Sequence, residues 1–164
     1  MVHNIPMADY DALDACHRRT VELLQDLVRI GQALEDDALD TGARNRADAI
    51  DRFFSVTSRL HHEEEEASVF PALLGSGDPE MVQAVLSLRE DHGWMERNWT
   101  LLRPQLRAIA KGEGWIDPAE FRCGVDVFAQ LCLDHIALEE STIYPESMAR
   151  WAALVAQRAL LPAA

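Results

Sequence analysis

Two stretches of this chain follow one pattern. Residues 61–71, HHEEEEASVFP, and residues 135–145, HIALEESTIYP, each run histidine, three residues, two glutamates, three residues, an aromatic side chain and a proline. The offset is 74 positions, and it also pairs Phe54 with Phe128 and Val69 with Ile143. Two further histidines keep almost the same step, since His17 and His92 are 75 positions apart. His17 precedes His61 by 44 residues and His92 precedes His135 by 43, so the chain reads as two similar halves. Each half contributes a lone histidine and then a His-x-x-x-Glu. Such repetition makes each half one supersecondary unit that buries its apolar face against the other.

Apolar residues recur at helical spacing almost throughout, without strand-like alternation or a hairpin dipeptide between strands. A first helix is expected from about Ala8 to Glu35, with Leu13, His17, Val21, Leu24 and Val28 on one stripe. EDDALDTGARN reads as a loop, and a second helix starts near Asn45 and carries Ile50, Phe53, Phe54, Thr57, Leu60 and His61. In LGSGDPE the glycines stop that helix, Asp78 caps the next and Pro79 takes its first position. The third helix carries Val85, Leu88, His92, Met95 and Trp99 and is expected to bend at Pro104. KGEGWIDPAEF repeats the punctuation, with Asp117 and Pro118 opening a fourth helix through Phe128, Leu131 and His135. MARWAALVAQRALL adds a short amphipathic helix at about residues 147–161, packed on the outside. The expectation is an all-α antiparallel up-down-up-down four-helix bundle at about residues 8–147, with an extra C-terminal helix, in a single domain of residues 1–164.

On a helix that turns about 100° per residue, positions i and i+4 lie about 40° apart on one face, so His61 can share a point with Glu65, and His135 with Glu139. Glu66 and Glu140 should point about 140° away from those histidines, into water or a neighbouring contact. Phe70 and Tyr144 should face about 180° away and are read as packing residues. Phe54 and Phe128, seven residues before the histidines, should form a dry wall beside them. His3 and His62 fall outside the repeat and are read as ordinary core or surface histidines. Glu96 stands four residues after His92, but without the Glu-Glu and aromatic-Pro surroundings it is read as an exposed acid or a hydrogen-bond partner of a ligand.

Four histidines and two carboxylates in a bundle core demand counter-charge, because buried carboxylates need partners. Two cations would supply it, each taking two histidines, with both glutamates bridging. Imidazole and carboxylate suit iron, manganese or zinc. Other templates fit worse: no histidine has a glutamate three residues before it, and the His-Glu-x-x-His signature is missing. The formal net charge of −13 disfavours nucleic acid and anionic membrane surfaces as partners. No leader pattern or membrane-spanning apolar run stands out, so a cytoplasmic location is expected. Cys16, Cys123 and Cys132 lack paired spacing and are expected to be unbridged.

On these residues, from about Tyr10 to Pro145, the chain resembles the haemerythrin-like family, the HHE cation-binding domain. The resemblance implies a non-haem di-iron centre whose ligands are His17, His61, Glu65, His92, His135 and Glu139. It differs from the oxygen-carrying branch, which resembles a five-histidine scheme with His-x-x-x-His on the third helix and a closing Asp; here Glu96 and Glu139 stand at those places. Members similar to this one in ligand set are associated with peroxide decomposition, nitric oxide chemistry or iron-centre repair. The expected function is therefore a di-iron protein that binds and reacts with hydrogen peroxide, oxygen or nitric oxide in stress defence, an oxidoreductase supplied by an external electron donor. The alternative is a binding module that senses iron, oxygen or nitric oxide without turnover. A homodimer is open to it, with Trp151 and Leu154 able to cover such a face.

Overall fold

The structure, a computed structural model, describes residues 8–159. Among them there is no strand, and four antiparallel rods are joined by short links. The first rod is α1 (Tyr10–Glu35). The second, residues 41–74, runs through α2 (Thr41–Arg52), α3 (Ser58–Glu64) and α4 (Phe70–Leu74), with π-helical turns at Phe53–Thr57 and Glu65–Val69. The third is α5 (Pro79–Lys111), which continues as one helix through Pro104. The fourth, residues 118–159, runs through α6 (Pro118–Leu138), a π turn at Glu139–Ile143 and α7 (Tyr144–Ala159). The expected C-terminal helix is thus a continuation of the fourth rod rather than a separate element; the end of the expected segment, residues 160–161, lies outside the described residues. Each rod packs on its neighbours in sequence, and the first closes the ring on the fourth.

All four rods begin on an aspartate whose side chain accepts from orphan N–H groups of the first turn: Asp9, Asp40, Asp78 and Asp117. Such caps contribute about 1 kcal/mol each. Pro79 and Pro118 occupy first-turn positions where a missing N–H costs nothing. The second rod starts at Thr41, earlier than the expected Asn45, because Asp40 caps it through Ala43 N at 2.6 Å. Gly112 closes α5 in the left-handed region, φ 69°, where a side chain would be strained.

The interior consists of two apolar regions separated by a polar layer. One holds Leu23, Leu27, Ile50, Phe54, Trp99, Leu106, Phe121 and Phe128. The other holds Leu13, Val69, Phe70, Leu73, Val85, Leu88, Ile143 and Tyr144. On every rod the residues between these two sets are the histidines and glutamates of the repeat: His17; His61 and Glu65; His92; His135 and Glu139. Truncating a buried aromatic such as Phe128 to alanine would cost about 3–5 kcal/mol. The apolar regions therefore provide the stability that lets a polar layer persist. The three cysteines are free thiols.

Each π turn resets the helical phase of the residues after it. Phe70 N–H reaches back to Glu65 O, and Tyr144 N–H to Glu139 O, bonds that span five residues instead of four. Pro71 and Pro145 come directly afterwards. A helical proline clashes with the carbonyl four residues before it, and a widened turn relieves that crowding. One extra residue per turn sets the rod back by about 100°. This is why two expectations of straight-helix phase fail: Leu60 is 59% exposed rather than on the core stripe, and Phe70 and Tyr144 do not face away from the histidines.

Candidate metal centre

The repeat brings all six candidate side chains into one buried layer. Glu65 and Glu139 are 0% exposed, and they lie between two histidine pairs. Glu65 Oε1 is 3.1 Å from His61 Nε2 and 3.7 Å from His17 Nε2, while its Oε2 is 3.5 Å from His92 Nε2. Glu139 Oε2 is 3.2 Å from His17 Nε2, and its Oε1 is 3.1 Å from His135 Nε2. Each carboxylate therefore turns one oxygen toward the His17/His61 pair and the other toward the His92/His135 pair. The first pair and both glutamates place ligand atoms within 4.8 Å of one another, and so do His92, His135 and Glu65 together with His62.

Four atoms in this layer are buried without a hydrogen-bond partner: Glu65 Oε2, Glu139 Oε1, Glu139 Oε2 and His135 Nδ1. Orphaned carboxylate oxygens are expensive, at several kcal/mol per uncompensated charge. A donor set of imidazole nitrogens and carboxylate oxygens suits a borderline divalent or trivalent cation. The residues present fit a metal pair.

Residues 8–147 match the sequence profile described as the hemerythrin HHE cation binding domain. The chain belongs to that family. It is also similar to an uncharacterized protein of Haemophilus influenzae, 28% identical over 131 residues that make up 79% of this chain and 73% of the relative. No solved structure matches it significantly. As a haemerythrin-like domain it is a metal-binding helical bundle.

The outer partners of this haemerythrin-like layer are also duplicated. Glu140 Oε1 takes His17 Nδ1 at 3.0 Å, and Glu66 Oε1 takes His92 Nδ1 at 2.9 Å. The second glutamate of each Glu-Glu pair thus makes the neighbouring contact that its direction allows. It fixes the tautomer of a histidine on another rod, leaving that ring's Nε2 free to face the layer. Tyr144 stacks on His17 at 5.4 Å, and its hydroxyl hydrogen-bonds Glu65 Oε1 and lies 3.2 Å from His17 Nε2. Phe70 stacks on His92 at 5.8 Å. Straight-helix phase makes both of them packing residues, and the extra residue in each π turn is what swings them toward the site.

Electrostatics in the layer follow from burial and proximity. Burial works against the His17 imidazolium, but the nearby carboxylates of Glu139 and Glu65 outweigh it and hold its pKa up at about 10. Burial likewise opposes charge on His61, and contacts with Cys16 and Glu65 raise it to about 9. Burial alone would raise Glu65; the surrounding His17, His61 and His92 bring it well below the usual carboxylate range. Burial and the neighbouring Glu65 charge push the Tyr144 phenol up, so it stays protonated and donates to that carboxylate. Without metal, protons on His17 and His61 take the place of cations.

Glu96 stays out of this layer, 62% exposed and 3.7 Å from Arg59. Phe54 and Phe128 pack edge to face at 5.1 Å and belong to the larger apolar region bordering the site. His3 lies outside the described residues. His62 is the residue that sequence reasoning missed: its ring lies on His92 with centroids 4.0 Å apart and planes 9° from parallel. The repeat places Ile136 opposite it, so no spacing signal marked it. Burial and the nearby histidines keep it neutral, its pKa well below the ordinary value.

Proposed function

We propose that this chain is a carboxylate-bridged, non-haem di-iron protein that binds and reacts with hydrogen peroxide, oxygen or nitric oxide in stress defence. His17 and His61 would hold one iron, His92 and His135 the other, with Glu65 and Glu139 shared. The observation that carries this reading is the split orientation of the two carboxylates, each with one oxygen toward each histidine pair. Two adjacent redox-active ions supply electron exchange with a small molecule bound beside them. Around them the chain's own groups have defined tasks. Glu140 and Glu66 orient His17 and His92; Tyr144 donates to Glu65; Phe54, Phe128 and Trp99 pack together as an apolar border to the site.

Manganese or zinc would fit the same donors, and elemental analysis of the purified protein decides among them. A cytoplasmic setting, an external electron donor and a homodimer through Trp151 and the exposed Leu154 of α7 belong to the same proposal. Among the described residues, no helix is long and apolar enough to cross a membrane. The proposal is tested by loading the protein with ferrous iron and recording its optical spectrum before and after peroxide and nitric oxide. Two irons per chain, a spectral response and oxygen evolution from peroxide are expected. Spectral binding without turnover would select the sensing alternative. No iron uptake would reject both.

A further inference from the structure

Two cavities approach the metal layer from the same side. The outer one, about 360 Å³, opens between the second and third rods beside His62, His92, Phe54 and Trp99. The inner one, about 10 Å³, lies among His17, His61, His135, Cys132 and Ile136. Among the described residues, only Ser58, His62 and Met95 line both. They form a partition one side chain thick between a vestibule and the candidate metal pair.

His62 is within reach of a metal held by Glu65, His92 and His135. Its pose argues against ligation. An imidazole donates a lone pair that lies in its ring plane, and two parallel planes share no point at which one ion could sit. The 4.0 Å stack of His62 on His92 is therefore a wall, with His92 held between His62 and Phe70. Among the described residues no side-chain hydrogen bond holds His62, in contrast to His17 and His92, whose Nδ1 atoms are anchored by Glu140 and Glu66.

The inner cavity has room for about one water-sized molecule. Its walls combine His17, His61 and His135 with Met95, Cys132 and Ile136, so it belongs to the space beside and within the candidate metal centre. The vestibule rim alternates Arg59, Glu63, Arg89 and Glu96, so it carries no field that would concentrate anions.

Resting on the di-iron reading, we propose that small molecules reach the metal centre through this vestibule and that His62 is the size-selecting door between the two. Hydrogen peroxide and nitric oxide pass; a branched alkyl hydroperoxide does not.

The test uses iron-loaded full-length protein and its His62→Ala, His62→Phe and Ser58→Leu variants. Iron content is measured first, then the association rate of nitric oxide with the ferrous protein and the reaction with hydrogen peroxide or tert-butyl hydroperoxide. Wild-type iron content is expected throughout. Nitric oxide should associate about tenfold faster in His62→Ala and about tenfold slower in Ser58→Leu and His62→Phe, as for a gating step. Only His62→Ala should gain reaction with tert-butyl hydroperoxide. Loss of an iron in both His62 variants would make His62 a ligand and overturn the proposal, as would unchanged rates in all three. Ready reaction of the wild type with the alkyl hydroperoxide would also overturn it. If the wild type takes up iron but binds no nitric oxide and ignores every peroxide, the di-iron function itself falls, and the door with it.

Discussion

The two histidine pairs are near-copies, and their differences are confined to what surrounds them. Around His17 stand Glu140 on Nδ1 and Tyr144 against the ring, whose hydroxyl reaches across to Glu65. Around His92 stand Glu66 on Nδ1, Phe70 against one face and His62 against the other. One end carries a fixed hydrogen-bond donor, and the other carries an unanchored ring beside a vestibule. A duplicated ligand set thus does not give two equivalent ions. The first should sit in the more rigid and more strongly proton-contested end, the second in the end open to small molecules.

The bridging carboxylates belong to both ends, so their loss should have the largest effect. Glu65→Ala and Glu139→Ala each remove one oxygen from each histidine pair. Both variants should lose the paired centre altogether, with at most one weakly held iron per chain by elemental analysis. Retention of two irons by either variant would show that the ends are independent sites.

Protonation should separate the ends next. His17 and His61 have pKa values held up at about 10 and about 9, so cations must displace protons there. Each displaced proton makes uptake about tenfold tighter per pH unit below the raised pKa. The expected result is iron binding that tightens as pH rises from about pH 6 to pH 8, most steeply at the His17/His61 end. In the metal-free protein the sign reverses. Raised imidazole pKa values stabilise the fold fully below the ordinary value of 6.5, and that contribution is lost as pH rises through about 9 to about 10. Urea unfolding in the presence of chelator should show stability falling across that window.

The outer glutamates give a more even comparison. Glu140→Gln and Glu66→Gln keep the shape but weaken the bond that orients His17 or His92, and such changes cost about 10–100-fold in metal affinity. Glu66 is also held by Arg89 at 3.2 Å, so it is the better-positioned acid. Glu66→Gln should accordingly cost more than Glu140→Gln, as read by chelator competition.

Legibility in the sequence divides along the same line. The all-α bundle, the caps at Asp78 and Asp117 and the convergence of His17, His61, Glu65, His92, His135 and Glu139 were legible, the convergence because a repeat reports which positions share an environment whatever the local helix geometry. Facing directions beyond the glutamates were not legible. A helical wheel assumes a constant turn, and the π turns at Glu65–Val69 and Glu139–Ile143 break that assumption just before Phe70 and Tyr144. The turn at Phe53–Thr57 does the same to Leu60. His62 escaped notice for the opposite reason: it is where the two halves stop resembling each other, and a symmetry argument is blind to departures from symmetry.

That difference can be exchanged between the halves at Tyr144. Tyr144→Phe gives the second half the aromatic of the first, leaving Glu65 Oε1 without its hydroxyl donor while the ring still stacks on His17. Leaving a buried acceptor unpaired costs about 1–3 kcal/mol. In the metal-free protein the full cost should appear in the urea midpoint, since only the histidines remain to neutralise Glu65. In the loaded protein the cation takes over most of that neutralisation, and the loss should shrink toward the lower end of the range. Phe70→Tyr at the other end should not compensate, because Phe70 lies against His92 while Glu65 Oε1 faces the His17/His61 pair. Equal losses with and without metal would mean that the phenol acts on the histidine stack alone, and that the two ends differ in packing rather than in hydrogen bonding to the bridge.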